Sequence, residues 1–297
     1  MFRWRRIPAS PSPRNPCERW ADERREPAHE REPAKEGAQV RIVVLIKEVP
    51  DTYSDRKLSL ETGLADRDAS ESVLDEIGGR ALEVALSYAD QNPGAEVVVL
   101  SMAPESAQAS IRKSLAMGAG SAVQVVDDRL LGADLGLTAQ VLAAAVQRVG
   151  FDLVVTGNQS TDGSGGVIPA MVAERLGVPQ LTALTSVEIT ESAVRGTRAT
   201  DEGVATVSAP LPAVISIMEA LPDARFPSFK GVKAAKKKPF ETLSLDDLGV
   251  DAELVDAPRS IVMAIARKPP RGAGVKIVDE GDAGIRLAQF LIQNRLA

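Results

Sequence analysis

Residues 152–177 read DLVVTGNQSTDGSGGVIPAMVAERLG. Residues 152–156 have the apolar, β-branched character of a strand. Residues 157–166 mix four glycines with short polar side chains, which is the composition of a loop. From Val167 onward, Ile168, Met171, Val172 and Leu176 recur at helical spacing and predict a helix over 167–177. A strand, a glycine-rich loop and a helix in that order form the first part of a β-α-β crossover. In an open α/β sheet the loop then lies at the carboxyl end of its strand, which is where such sheets bind ligands.

The same rhythm extends upstream. RIVVLI (41–46) is continuously apolar after its first residue, as expected of a strand covered on both faces. EVVVLS (96–101) and AVQVV (122–126) read as further strands. Helices are predicted over 74–90, 104–117 and 134–149, the second opened by Pro104. KEVPDT (47–52) breaks the first strand at Pro50, and 53–72 reads as a loop. Together these predict an α/β fold with a doubly wound, mostly parallel sheet. From about residue 182 the period changes to two. Residues 184–190 and 203–208 read as an antiparallel hairpin around charged turns, and LPAVISI (211–217) as another buried strand. A loop over 219–232 contains Pro222, Pro227 and Phe229, and Lys236, Lys237 and Lys238 read as a solvated face. The tail from about 240 reads as an extended C-terminal arm ending in a helix over 282–295.

The first 39 residues differ from the rest. They hold six prolines and many Arg and Glu but little aliphatic pattern. Such a stretch buries too little apolar surface to offset its ordering entropy, and it reads as a disordered extension. It reads equally as the product of a start site assigned upstream of Val40, which directly precedes the first strand. The only Cys (Cys17), the only His (His29) and both Trp (Trp4, Trp20) lie in this segment. A Cys-His zinc site, a Ser-His-Asp triad, a cysteine nucleophile and a histidine acid-base pair are therefore excluded from 40–297. The net charge of −6 argues against a nucleic-acid binder. One thiol allows no internal disulfide, which fits a reducing bacterial cytoplasm.

Three strand ends collect the polar chemistry: Leu45-Ile46-Lys47, Leu100-Ser101-Met102 and the loop from Gly157. Glycines let main-chain N–H groups approach a phosphate, and the helix beginning near Val167 adds its positive dipole end. Ser160, Thr161 and Ser164 add hydroxyl donors. The loop is neither of the common nucleotide fingerprints, and it lacks the lysine that engages a β- or γ-phosphate. It is therefore expected to take a mono- or diphosphate. Asp75, at a helix start, is read as an N-cap.

RIVVLIKEVPDT (41–52), VLDEIGGRALEVAL (73–86), SIRKSLAMGAG (110–120), 152–182, TDEGVATVSAPLPAVISI (200–217), ARFPSFKGVKAAKKK (224–238) and LGV (248–250) together resemble the electron-transfer flavoprotein β-subunit family, in its actinobacterial branch. The resemblance implies an adenine-nucleotide α-hydrolase-like sheet over 40–240. It also implies a recognition loop over 218–238 and an arm over 241–297 that packs on a partner α subunit. One FAD would be shared with that subunit and held mainly by it, while this chain would hold a structural AMP. By position the AMP pocket falls on Leu45, then on Asp75, Glu76, Ile77 and Gly78, and on Val99, Leu100, Ser101 and Met102. It continues along Gly157, Asn158, Gln159, Ser160, Thr161, Asp162, Gly163, Ser164, Gly165, Gly166, Val167 and Ile168. Electrons would come from acyl-CoA and related dehydrogenases and pass to a quinone oxidoreductase, with no catalytic residue in this chain and no metal. Phe229 holds the position of the apolar anchor that docks on those dehydrogenases, with Arg225 and Pro227 as further docking residues.

Two departures stand out. Ala199 replaces a Glu with which many members contact the mobile flavin domain. Gly165-Gly166-Val167-Ile168-Pro169 differs from the Asn/Gln-containing loop of AMP binders and partly resembles bifurcating members, in which a second FAD replaces AMP. Two other classes stay in view. An adenylating or phosphate-transferring hydrolase needs a catalytic Lys, His or metal-binding carboxylates around 157–166, where only Asp162 lies near. A stand-alone nucleotide sensor needs neither the 218–238 segment nor the long arm.

Overall fold

Each apolar run supplies side chains to both faces of a sheet, so each must be covered on both sides. The computed structural model describes residues 40–54, 56–253 and 260–296. The expected extension at 1–39 lies outside the described residues. The chain begins with β1 (Arg41–Leu45), β2 (Glu48–Pro50), β3 (Ser72–Leu74), α1 (Glu76–Gln91), β4 (Glu96–Met102), α2 (Gln108–Met117) and β5 (Ser121–Val125). It continues through α3 (Leu135–Val149), β6 (Leu153–Gly157), α4 (Ile168–Leu176), β7 (Gln180–Leu184), β8 (Ser186–Ile189), β9 (Ala193–Thr200), β10 (Gly203–Pro210) and β11 (Ala213–Ile217). Last come α5 (Phe229–Ala235), β12 (Phe240–Leu243), α6 (Leu245–Leu248) and α7 (Ala283–Gln293).

Seven strands form one parallel sheet in the order β12-β5-β4-β1-β6-β11-β7. Along β1, Ile42 and Val44 enter the core shared with α1 and α2, while Val43 and Leu45 enter the core shared with α3 and α4. Complete burial of each such side chain contributes roughly 1.5–3 kcal/mol. From β1 the chain winds out through β4 and β5, then returns to the other side of β1 at β6. The strand order reverses between β1 and β6, and this reversal opens a crevice at their carboxyl ends. No helix among the described residues is long and apolar enough to cross a membrane.

Several boundaries differ from the expectations. The 47–52 break contains β2, which pairs antiparallel with β3 in a two-stranded ribbon. Each of these strands is three residues long, too short to show a period. The expected hairpin is a three-stranded sheet, β10-β9-β8. Its middle strand reads AVRGTRAT, where Gly196 and two arginines hide the alternation. Gly196 is needed there, because a Cβ would stand 2.3 Å from the Ser186 carbonyl oxygen. The 104–117 helix opens with a 3-10 turn, Glu105–Ala107, before α2 begins. Phe229 starts a helix instead of lying in a loop. β12 closes the sheet edge beyond residue 240, and Leu243, Leu245 and Val250 are buried in the second core. The α/β module thus reaches about residue 250. The arm from 260 carries α7, which has no buried residue.

Lys238 is not part of a solvated face. Its Nζ donates to the carbonyl oxygens of Leu115 at 2.9 Å and Ala119 at 2.6 Å, at the end of α2. A cation there complements the helix dipole, while burial lowers the ammonium pKa from its ordinary value.

At the end of β6, a Cβ on Gly157 would stand 2.8 Å from Ile77 Cγ2. Gly157→Ala is expected to lower stability by about 1–3 kcal/mol in urea unfolding, because Ile77 cannot retreat without opening a void. Ile77→Ala should cost clearly less in that background than in the parent chain. Additive costs would show that the two sites are not in contact.

Candidate functional site

β1 pairs with both β4 and β6, so the three polar strand ends identified in the sequence lie side by side. Asp75, almost completely buried, joins them. Its Oδ2 accepts from the Gly78 N–H at 3.1 Å and caps α1. Its Oδ1 accepts from both the N–H and the hydroxyl of Thr161, each at 2.8 Å. The N-cap expected from the sequence is present, and the same carboxylate also ties down the middle of the glycine loop.

A second tie closes the loop from the β1 side. Lys47 Nζ donates to Asp162 Oδ1 at 2.8 Å and to Ser160 Oγ at 3.2 Å. The Arg67 guanidinium reaches the other oxygen of Asp162 at 3.4 Å. The Asp162 side chain is only 9% exposed. Burial opposes its ionisation, but the Lys47 ammonium, the Ser160 hydroxyl and the Gly163 N–H outweigh it and hold the carboxyl pKa below its ordinary value. The resulting stabilisation is present above the ordinary carboxylate pKa and is lost as pH falls through the depressed one. Two cations, Lys47 and Arg67, thus stand against the two carboxylates that hold the loop, Asp162 and Asp75.

These ties use part of the expected donor set. The Thr161 N–H serves Asp75, the Gly163 N–H serves Asp162, and the Ser164 N–H returns to the Ser160 carbonyl at 2.9 Å. Among the described residues, the N–H groups of Gly165, Gly166 and Val167 have no acceptor. All three residues are exposed. They lead into α4, whose N-cap position, Val167, provides no side-chain cap. Pro169, in the first turn, lacks an N–H of its own. Gly166 has φ +66°, a conformation that an L side chain rarely adopts. Two buried polar atoms near these strand ends, Ser101 Oγ and Asn158 Oδ1, also have no partner among the described residues. Buried polar atoms are normally satisfied, so both are groups a bound molecule could engage.

The remaining expected residues play different parts. Leu45, Val99 and Leu100 direct their side chains into the two cores and stand behind the site. Ile77 is buried against Gly157, and Glu76 is exposed at the start of α1. Gly78 lies beneath the crevice, where a Cβ would come within 3.7 Å of the Ile46 Cα. Met102, Gln159 and Ile168 are half-buried. Two residues outside the expected pocket, Lys47, read only as part of the first strand end, and Arg67, which the sequence reading passes over, join Asp75 in shaping the loop. The position of Lys47 immediately after the first strand is a usable signal, whereas nothing local in the sequence marks Arg67.

The expected docking residues divide. Phe229 is 90% exposed, and Phe226, which the sequence reading passed over, is 94% exposed. Pro227 lies between them and is half-buried. Arg225 does not face outward. Its guanidinium binds both oxygens of Glu83, each at 2.8 Å, as part of the molecule's own framework.

Comparison with known proteins gives one consistent result. The electron transfer flavoprotein domain model matches residues 62–248. The electron transfer flavoprotein subunit beta of Mycobacterium tuberculosis is 46% identical over 262 residues, covering 86% of this chain and 98% of that protein. The same subunit of Bacillus subtilis is 31% identical, covering 80% of this chain and 91% of its own length. The caffeyl-CoA reductase-Etf complex subunit CarD of Acetobacterium woodii is 32% identical, with coverage of 80% and 92%. A match over this extent, on a parallel sheet with its crevice at the β1–β6 reversal, means that the chain belongs to the electron transfer flavoprotein β-subunit family.

Proposed function

We propose that this chain pairs with an α subunit to form a heterodimeric electron carrier, binds AMP in the loop after β6 and shares one FAD with its partner. One observation carries the AMP reading: the N–H groups of three exposed residues, Gly165, Gly166 and Val167, have no acceptor among the described residues and precede a helix start without a side-chain cap. Such a row of donors suits a phosphate. Ser101 Oγ and Asn158 Oδ1 add polar groups that lack partners among the described residues, and Lys47 with Arg67 offsets the carboxylate of Asp162 beside the loop. AMP offers no phosphoryl group for transfer, so its binding energy would stabilise the assembled pair.

FAD, when bound, supplies the redox chemistry, and this chain's part is to help hold and orient it. In this reading the pair works in the bacterial cytoplasm, accepting electrons from acyl-CoA and related dehydrogenases and passing them to a quinone oxidoreductase. Phe229 anchors the dehydrogenase, and its exposure at the start of α5 supports that role. The C-terminal arm packs on the α subunit, a role supported by Ile285, Leu287 and Ile292, which α7 leaves in solvent. A second reading puts another FAD in place of AMP. It is favoured by the glycine pair at 165–166, which leaves the loop free of side chains where AMP-binding relatives carry Asn or Gln.

Nucleotides released from the purified heterodimer and counted by liquid chromatography are expected to show one FAD and one AMP per pair. Two FAD and no AMP would establish the second reading, and neither nucleotide would overturn both. Gly166→Asp should reduce retained nucleotide about tenfold or more, because the carboxylate meets the phosphate at short range. Gly166→Ala, which adds backbone strain without charge, should reduce it less. Phe229→Ala should slow flavin reduction by a dehydrogenase while flavin content stays constant. Loss of flavin instead would place Phe229 in the subunit interface.

A further inference from the structure

Two phenylalanines held in water need a framework that prevents their collapse onto the nearest apolar surface. Phe226 lies near the end of a stretch, 218–228, that belongs to no helix or strand, and Phe229 directly after it opens α5. The stretch leaves the sheet with the Met218 N–H donating to the Leu184 carbonyl at 2.8 Å, Leu221 and Ala224 pack on the core, and polar ties fasten it to one face of α1. Arg225 donates through its main-chain N–H to Glu83 Oε2 at 3.0 Å and through its guanidinium to both Glu83 oxygens. The same guanidinium reaches Asp90 at 2.9 Å. One turn earlier, Arg80 binds the Leu221 carbonyl and the Asp223 carboxylate. Between these two grips the backbone closes on α1, where a Cβ on Gly79 would come within 3.2 Å of the Ala224 Cβ.

Glu83 is the centre of this arrangement. It is 14% exposed and accepts from Ser87 as well as from Arg225. Burial opposes its ionisation, and the Arg225 hydrogen bonds overcome this and lower the carboxyl pKa from its ordinary value. On the other side of the aromatic pair, Gly231 lies where a Cβ would be 2.2 Å from the Ala116 carbonyl oxygen, so α5 rests directly on α2.

We propose that Glu83 is a positioning residue for electron transfer: by holding Arg225 it fixes Phe226 and Phe229 as a preformed pair of apolar anchors for the partner dehydrogenase. This inference rests on the docking role of Phe229 proposed above. Preforming the anchors avoids part of the ordering entropy at the moment of association, so the clamp acts on encounter and leaves the flavin untouched.

The test uses the assembled heterodimer with Glu83→Gln, which keeps the side-chain shape and removes the charge that strengthens the Arg225 bonds. Two readouts are taken. The first is trypsin cleavage after Arg225, followed by mass spectrometry. The protease must draw that guanidinium into its own specificity pocket, so the clamp opposes the cut directly. Cleavage there should accelerate at least about tenfold in the variant, since charge-assisted pairs are roughly twice as strong as neutral ones. The second is reduction by an acyl-CoA dehydrogenase, where KM for the heterodimer should rise about tenfold with kcat and flavin content preserved. Arg225→Lys, which loses the planar fork but keeps the charge, should show the same split between KM and kcat and serves if the first variant folds poorly. Unchanged cleavage after Arg225 would overturn the clamp itself. Faster cleavage with unchanged KM, while Phe229→Ala still slows reduction, would overturn the positioning role and leave the docking role standing. Unchanged reduction in both Glu83→Gln and Phe229→Ala would remove the docking role and this inference with it.

Discussion

The buried carboxylate of Asp75 organises the crevice. One oxygen closes the start of α1, and the other holds Thr161 in the middle of the loop that follows β6. A buried carboxylate without its donors is costly, so helix start and loop are each held by the other's need for the same group. Gly157 makes the arrangement possible, because without a side chain it lets Ile77 and the first turn of α1 come down onto the end of β6. With Thr161 fixed and Asp162 held by Lys47 and Arg67, the N–H groups of the exposed residues 165–167 are left without an acceptor among the described residues. These donors stay open while the inner ones are already used.

α1 serves a second purpose along its length. Its first turn secures the crevice loop, and Arg80 and Glu83 secure the segment that carries Phe226 and Phe229. The helix is itself fixed by Ala81, Leu82, Ala85 and Leu86, buried in the core shared with β1, β4 and β6. One apolar face thus supports two polar attachments that lead to different surfaces. Both rest on carboxylates whose donors come from distant parts of the sequence, Asp75 from 161 and Glu83 from 225. These are the contacts most sensitive to the placement of whole elements.

The alternation of side chains between two cores explains why the central strands were readable. The runs Ile42–Ile46 and Val97–Leu100 had to be apolar at every position, whichever neighbours they acquired. The helices α1, α3 and α4 announced themselves by spacing and by the acids or glycine at their ends. β2, β3 and β9 were hidden, two by their shortness and one by Gly196, whose role is apparent only beside the Ser186 carbonyl. The placement of Lys238 was hidden for the same kind of reason. A run of lysines is ordinarily solvated, and nothing in Lys236-Lys237-Lys238 shows that the third meets the end of α2.

Local sequence was enough to establish a parallel α/β sheet, a glycine-rich loop at a strand's carboxyl end, the Asp75 cap and an aromatic residue at 229, since each follows from composition or spacing within a few residues. Tertiary structure alone decided which of the loop's donors remain open, that Lys47 and Arg67 converge on Asp162, that Arg225 turns inward to Glu83 and that Phe226 stands out beside Phe229. Each of these depends on a partner tens of residues away. Hydrogen bonds and close packing are satisfied by distance in space, which a linear pattern does not carry until the sheet has brought the ends together.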